Sequence, residues 1–199
     1  MAGLTNSGSG DRPLRGTRLF VAVPLPEYTK TALAHLRHDR WTGFHWVDED
    51  NYHLTLRFIG DVPGQFQEDI EAALGTVSVE PFLLPVEGVG RFPGKGRPHA
   101  VWAGLGSAHP RLFSLKKQIE DALFRIGLEP EKRAYQPHLT IARVNHAAEE
   151  TVRQFLKEHA GFGAAPFRVE NFCLYSSELR PEGRLHIEQR TWTCATPSA

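Results

Sequence analysis

Apolar residues along the chain follow two spacings. In some stretches they alternate or form short unbroken runs, as strands require. In others they recur every three or four positions, as helices require. The run TRLFVAVPL at 17–25 reads as a buried strand. Pro26-Glu27 then suit the first turn of a helix reaching residue 40, which would bury Tyr28, Ala32, Leu33 and Leu36. A short strand is expected at 44–47, followed by the acidic turn Asp48-Glu49-Asp50-Asn51 and a longer strand at 52–59. Pro63-Gly64 opens a second helix, with Phe66, Ile70, Leu74 and Val77 on one side. Strands at 81–90 and 99–105 flank the loop Arg91-Phe92-Pro93-Gly94-Lys95-Gly96-Arg97-Pro98. The clearest helix is 110–126, where Leu112, Leu115, Ile119, Ala122, Leu123 and Ile126 form a stripe and Gly127 supplies the stop. A strand at 138–144, a helix at 148–159 with Val152, Phe155 and Leu156 inward, and strands near 167–175 and 185–193 complete the reading.

Strands and helices alternate, yet short turn-like links and polar/apolar alternation favour antiparallel pairing. No glycine-rich phosphate loop joins a strand to a helix, which disfavours a nucleotide-binding parallel sheet. Two strands carry near-identical tetrads, His53-Leu54-Thr55-Leu56 and His138-Leu139-Thr140-Ile141. The order around each is the same: helix, connection, motif strand, helix. This duplication predicts two related lobes with the motif strands at their junction.

Composition narrows the field. The 23 basic and 23 acidic residues balance, so no bulk basic field marks a general nucleic-acid coat. Cys173 and Cys194 match no zinc spacing and are expected to be reduced, as in the cytoplasm. No run approaches a membrane span, and no signal peptide is evident. Residues 1–16 and 195–199 read as flexible tails around one domain at 17–194, expected to be a monomer.

On a strand, His53 and Thr55 share a face, as do His138 and Thr140, with the aliphatic residues opposite. One His-x-Thr is weak evidence, since ten histidines make about half a chance match expected. Two copies in strand context point to a paired acid–base site. An imidazole titrates near ~6.5, so one protonated and one neutral copy can act together on a phosphodiester. Threonine hydroxyls can donate to phosphoryl oxygens as these gain charge. No metal or cofactor is needed for this scheme.

Other candidates are weaker. Strict alternation puts Arg57 on the face of His53, and puts Arg143 opposite His138 unless the strand bulges near Ala142. Lys95 and Arg97 could steer an RNA backbone from their loop, though a solvated loop is the commoner case. Phe44, Trp46 and Phe92 could stack on a base, with core packing the default. His35 and His38, three apart on the first helix, are read as surface residues without a third ligand. His45 and His186 are read as surface residues too.

Several stretches carry a family resemblance. They are Arg18-Leu19-Phe20-Val21-Ala22, Trp46 with His53-Leu54-Thr55-Leu56-Arg57-Phe58-Ile59-Gly60, Pro137-His138-Leu139-Thr140-Ile141-Ala142-Arg143, and Leu174-Tyr175-Ser176-Ser177-Glu178-Leu179. Together they resemble the two-histidine phosphoesterases, specifically the bacterial and archaeal RNA 2',3'-cyclic phosphodiesterase branch historically called 2'-5' RNA ligase. One departure is Pro98-His99 before Ala100-Val101-Trp102, where relatives often carry an arginine. The resemblance implies a bilobal α+β fold, two antiparallel sheets flanking a central cleft with helices outside. It implies hydrolysis of a terminal RNA 2',3'-cyclic phosphate to a 2'-phosphate, with weak ATP-independent 2'-5' joining. His53 would be the proton donor and His138 the proton acceptor, while Thr55, Thr140 and Arg143 would bind substrate. The two near-identical motifs do not by themselves say which histidine is acid. Other 2'-5' or cyclic-phosphate nucleotides, or an RNA end held without turnover, are the alternatives.

Overall fold

The computed structural model describes residues 17–145, 149–180 and 183–195. The tails expected at 1–16 and 196–199 lie outside them. Ala195, assigned to a tail, accepts a hydrogen bond on its carbonyl from the Ser78 hydroxyl at 3.2 Å.

The elements run β1 (Thr17–Pro24), α1 (Glu27–Ala34), β2 (Phe44–Trp46), β3 (His53–Val62), α2 (Gln67–Leu74), β4 (Phe82–Glu87), β5 (Val89–Phe92), β6 (Ala100–Gly104), α3 (Pro110–Arg125), β7 (His138–Val144), α4 (Glu149–Glu158), β8 (Gly163–Val169), β9 (Asn171–Arg180) and β10 (Gly183–Thr193). One four-stranded sheet has the order β10-β9-β1-β3, the other β2-β7-β6-β5, and β4 pairs with β8 in a two-stranded sheet. All pairs of named strands are antiparallel. The expected α+β architecture of two antiparallel sheets is present.

The duplication has a specific form. A first unit β1-α1-β3-α2-β4-β5 repeats as β6-α3-β7-α4-β8-β9. The last strand of each unit crosses over, so β5 pairs with β6 and β9 pairs with β1. β4 and β8, the corresponding fifth elements, pair with each other. β2 also crosses, pairing with β7 although it precedes β3. The two halves are thus laced together, and one contiguous apolar cluster runs beneath both sheets.

Helix stripes dock the sheets as their spacing predicts. Leu112, Leu115, Ile119, Ala122 and Leu123 of α3 are all buried, against a layer that includes Leu54 and Leu56 of β3. The first helix departs from expectation. It ends at Ala34 rather than residue 40, because beyond Leu36 the chain reads Arg37-His38-Asp39-Arg40 and has nothing to anchor inward. Its buried residues are Thr29 and Leu33, followed by Leu36, while Tyr28 is exposed. Two expected strands are each divided. Gly88, at φ 71°, turns the chain from β4 into β5, a backbone conformation that only glycine adopts freely. The second break falls at Glu170, between β8 and β9.

Candidate active site

His53 and His138 each occupy the first position of their strand, and the same local device orients both. The Nδ1–H of His53 donates to the Asn51 carbonyl at 2.7 Å. That of His138 donates to the Gln136 carbonyl at 2.8 Å. A carbonyl can only accept, so the hydrogen sits on Nδ1 and leaves Nε2 for chemistry. Asn51 is itself pinned, its side-chain amide donating to the Arg184 carbonyl of β10 at 2.9 Å. Cα atoms of β3 and β7 come within 8 Å of one another, and the Tyr135 hydroxyl just before β7 donates to the Thr55 carbonyl at 3.1 Å. The motif strands from the two sheets are therefore neighbours, and the charge on His138 is felt at His53.

Both motif strands carry a β-bulge at the residue after threonine. β1–β3 pairing steps from Ala22↔Thr55 to Val21↔Arg57, leaving Leu56 extra. β6–β7 pairing steps from Trp102↔Thr140 to Val101↔Ala142, leaving Ile141 extra. An extra residue reverses the alternation beyond it. His138 and Thr140 are partly exposed, Leu139, Ile141 and Ala142 are buried, and Arg143 emerges on the open face. Its charge lowers the pKa of His138, and among the described residues it has no acidic partner. The bulge that Arg143 needs to join His138 is thus present.

The same bulge overturns the expectation for Arg57. It is turned into the core at 6% exposure. There it faces Glu120 at 3.6 Å and Glu131 at 3.9 Å, and donates to the Glu129 carbonyl. Phe58 takes the open face instead, 59% exposed, with its ring 6.1 Å from Phe20. Phe58 holds the place in the first motif that Arg143 holds in the second, since Phe20↔Phe58 mirrors Ala100↔Arg143. Strict alternation had hidden it.

The walls are aromatic. Phe20 lies 4.9 Å from His53 and stacks on Tyr175 at 5.3 Å. Phe92 meets His138 edge-on at 4.7 Å, and so belongs to the site. Phe44 and Trp46 pack with Phe155 instead. His186, read from sequence as a surface residue, stands edge-on to His53 at 5.0 Å and 4.9 Å from Phe20. No local signal marks it, because it reaches His53 only through the strand order β10-β9-β1-β3. A small pocket of about 70 Å³ beside His53 includes Phe20, Tyr52, Tyr175 and His186 in its lining. His45 is exposed on β2. His35 and His38 lie beyond the end of α1, where helical spacing no longer relates them. Lys95 and Arg97 are exposed between β5 and β6.

Burial pushes the His53 pKa down to about 4, offset in part by the Asn51 carbonyl, with His186 and His138 lowering it further. Burial also lowers His138, the Gln136 carbonyl opposing and Arg143 reinforcing the shift. Both imidazoles are therefore shifted toward the neutral form. Among the described residues no cluster of three or more His, Cys, Asp or Glu is arranged to hold a metal ion. Nor is any helix long and apolar enough to cross a membrane.

Known proteins resemble this chain in sequence and fold. A family model described as the 2'-5' RNA ligase superfamily matches residues 25–181. The chain is 31% identical over 179 residues to the RNA 2',3'-cyclic phosphodiesterase of Archaeoglobus fulgidus, covering 88% of this chain and 99% of that one. It is 32% identical over 174 residues to the Thermotoga maritima protein of the same name, covering 85% and 91%. Escherichia coli LigT complexed with 3'-AMP has the same fold, with a TM-score of 0.75 at 21% identity over 91% of this chain and 99% of LigT. The match in sequence includes both motif strands and most of the core, and the chain belongs to the 2'-5' RNA ligase superfamily of two-histidine phosphoesterases.

Proposed function

We propose that the protein hydrolyses a terminal RNA 2',3'-cyclic phosphate to a 2'-phosphate. The carrying observation is the pair of imidazoles on neighbouring strands, each with Nδ1 tied to the carbonyl two residues before it. Each Nε2 is left to exchange a proton with one oxygen of the phosphorus centre. His138 takes a proton from water as its oxygen bonds to phosphorus. His53 gives a proton to O3' as the P–O3' bond breaks, so the phosphate stays on O2'. This polarity follows the family resemblance.

Thr55 and Thr140 stand two residues beyond their histidines on the same faces and donate to the non-bridging oxygens. Arg143 adds a cation where the phosphoryl group gathers charge. Phe58 and Phe92 offer aromatic surface for a base near each histidine. The curated relatives bear the name of this activity. The protein acts without a cofactor, as a monomeric cytoplasmic unit spanning 17–194. The free, buried thiols of Cys173 and Cys194 accord with a reducing compartment.

The test is product analysis on an RNA ending in a 2',3'-cyclic phosphate. A single 2'-phosphate product is expected. A 3'-phosphate, or no turnover, would overturn the reading.

A pH dependence follows from the lowered pKa values. The productive state holds one proton on the histidine pair and is most populated between the pair's two apparent pKa values, both below ~6.5 in the free enzyme. kcat/KM is therefore expected to peak on the acid side of ~6.5 and fall at higher pH. Bound phosphodiester is an anion and favours imidazolium, so the kcat profile sits at higher pH. Rate profiles in which the two parameters share one optimum would contradict this account.

A further inference from the structure

Two residues of the edge strand β10 bear on His53. The Arg184 carbonyl accepts from the Asn51 side chain, and the Asn51 carbonyl accepts from His53 Nδ1. Two residues further along β10, the His186 ring stands edge-on to His53 at 5.0 Å. Phe20 closes a triangle, its ring 4.9 Å from each imidazole. Register brings this about. His186 pairs with Ser177, and Tyr175, two residues away on the same face of β9, pairs with Phe20 of β1. A serine at the register position leaves room for the imidazole to lean across β9.

Packing does not explain a histidine at 186. Its Nδ1 is buried with no hydrogen-bond partner among the described residues. A buried ring nitrogen without a partner costs stability that a phenyl ring in the same space would not. What the imidazole adds is a proton site beside His53. Arg184 and Glu188 flank it on the same face of β10. Tyr175 of β9, Asp50 and Tyr52 before β3, and Lys30 of α1 share its small pocket. Burial and the Arg184 charge hold His186 toward the neutral form. Two imidazoles this close resist carrying two protons, since each charge opposes the other.

We propose that His186 is a positioning residue for the proton donor: neutral, it braces the His53 ring, and protonated, it drives off the proton meant for O3'. The proposal rests on the reading of His53 as the group that protonates the leaving oxygen. The displaced proton passes to water. His53 and His186 thus share one proton on the leaving-group side, and His186 sets how far turnover survives acid.

The test uses the full chain with His186→Phe, which keeps a ring, and His186→Gln, which keeps a nitrogen donor. Histidine Cε1–H resonances are followed by NMR as pH is lowered, with His53 assigned by its loss in His53→Gln. In wild type the His53 resonance is expected to show two inflections, its own and that of its neighbour. In either variant it should show one, with its midpoint raised by about one pH unit. That is the size of an interaction between two charges ~5 Å apart in a partly buried site. On a cyclic-phosphate-ended RNA, the kcat/KM ratio of His186→Phe to wild type should rise by up to about tenfold as pH falls through the His186 titration. It should stay level above that titration, where the wild-type ring is neutral. A His53 midpoint that does not move in either variant overturns the proposal. So does a ratio that stays level at every pH in a wild type that turns over, which leaves the cyclic-phosphate reading intact. If wild type opens no cyclic phosphate, that reading fails, and the His53 midpoint alone decides: movement supports the shared proton, and none ends it. Either variant suffices, so misfolding of one leaves the other decisive.

Discussion

Replacing His53 or His138 with alanine lowers kcat/KM on a cyclic-phosphate-ended RNA by about 10³-fold or more, and replacing both costs little beyond either alone. One acid or base role is typically worth ~10²–10⁴ in rate. In the proposed mechanism the two imidazoles act in one concerted exchange, so removing either would disable the other. The geometry makes them equal in standing, since each is fixed by a bond from Nδ1 to the carbonyl two residues earlier. Glutamine replacements serve as controls, because they keep a side-chain donor near that carbonyl while discarding the titratable nitrogen. Single-turnover rates with matched circular dichroism spectra check the prediction. Losses that multiply in the double variant would mean two independent roles rather than one proton relay across phosphorus.

Replacing Arg57 with alanine is expected to destabilise the fold by about 3–5 kcal/mol, the effect of removing one partner from a buried ion pair. The side chain is 7% exposed and faces Glu120 and Glu131, which the variant leaves behind. Lys116 still pairs with both carboxylates, which places the loss toward the lower end. Denaturant unfolding measures it. Well below the melting temperature, kcat/KM per folded molecule should move by less than about threefold. Unchanged stability with lost turnover would instead put Arg57 in the cleft, where unbroken alternation from His53 would have aimed it.

The contrast between Arg57 and Arg143 shows where reading from sequence stops. Each stands four or five residues beyond a motif histidine on a strand of the same pattern. A period of two correctly sorts His53 and Thr55 from Leu54 and Leu56, and likewise His138 and Thr140 from Leu139 and Ile141. An unpaired residue, Leu56 in β3 and Ile141 in β7, then reverses the positions that follow it, and β3 shifts register a second time at Ile59. The bulge depends on how β1 and β6 are paired alongside, over backbone hydrogen bonds that leave no mark on side-chain pattern. Phe58 reaches the open face through the same bulge that turns Arg57 inward. His186 was passed over because its closeness to His53 depends on three successive strand pairings.

The amino-acid sequence by itself determined what short-range physics controls. It set the helical stripe of α3, the alternation through both His-x-Thr tetrads, the duplicated order of elements and the identity of the two histidines proposed as the acid–base pair. Tertiary structure decided which strands cross between the halves, where β3 and β7 bulge, and hence which arginine meets the open face and which enters the core. It also lowered both imidazole pKa values by surrounding them with protein. Periodicity is written residue by residue along one chain. Register, burial and the electrostatic field at a group belong to pairs of segments far apart in that chain, and they exist only once those segments have met.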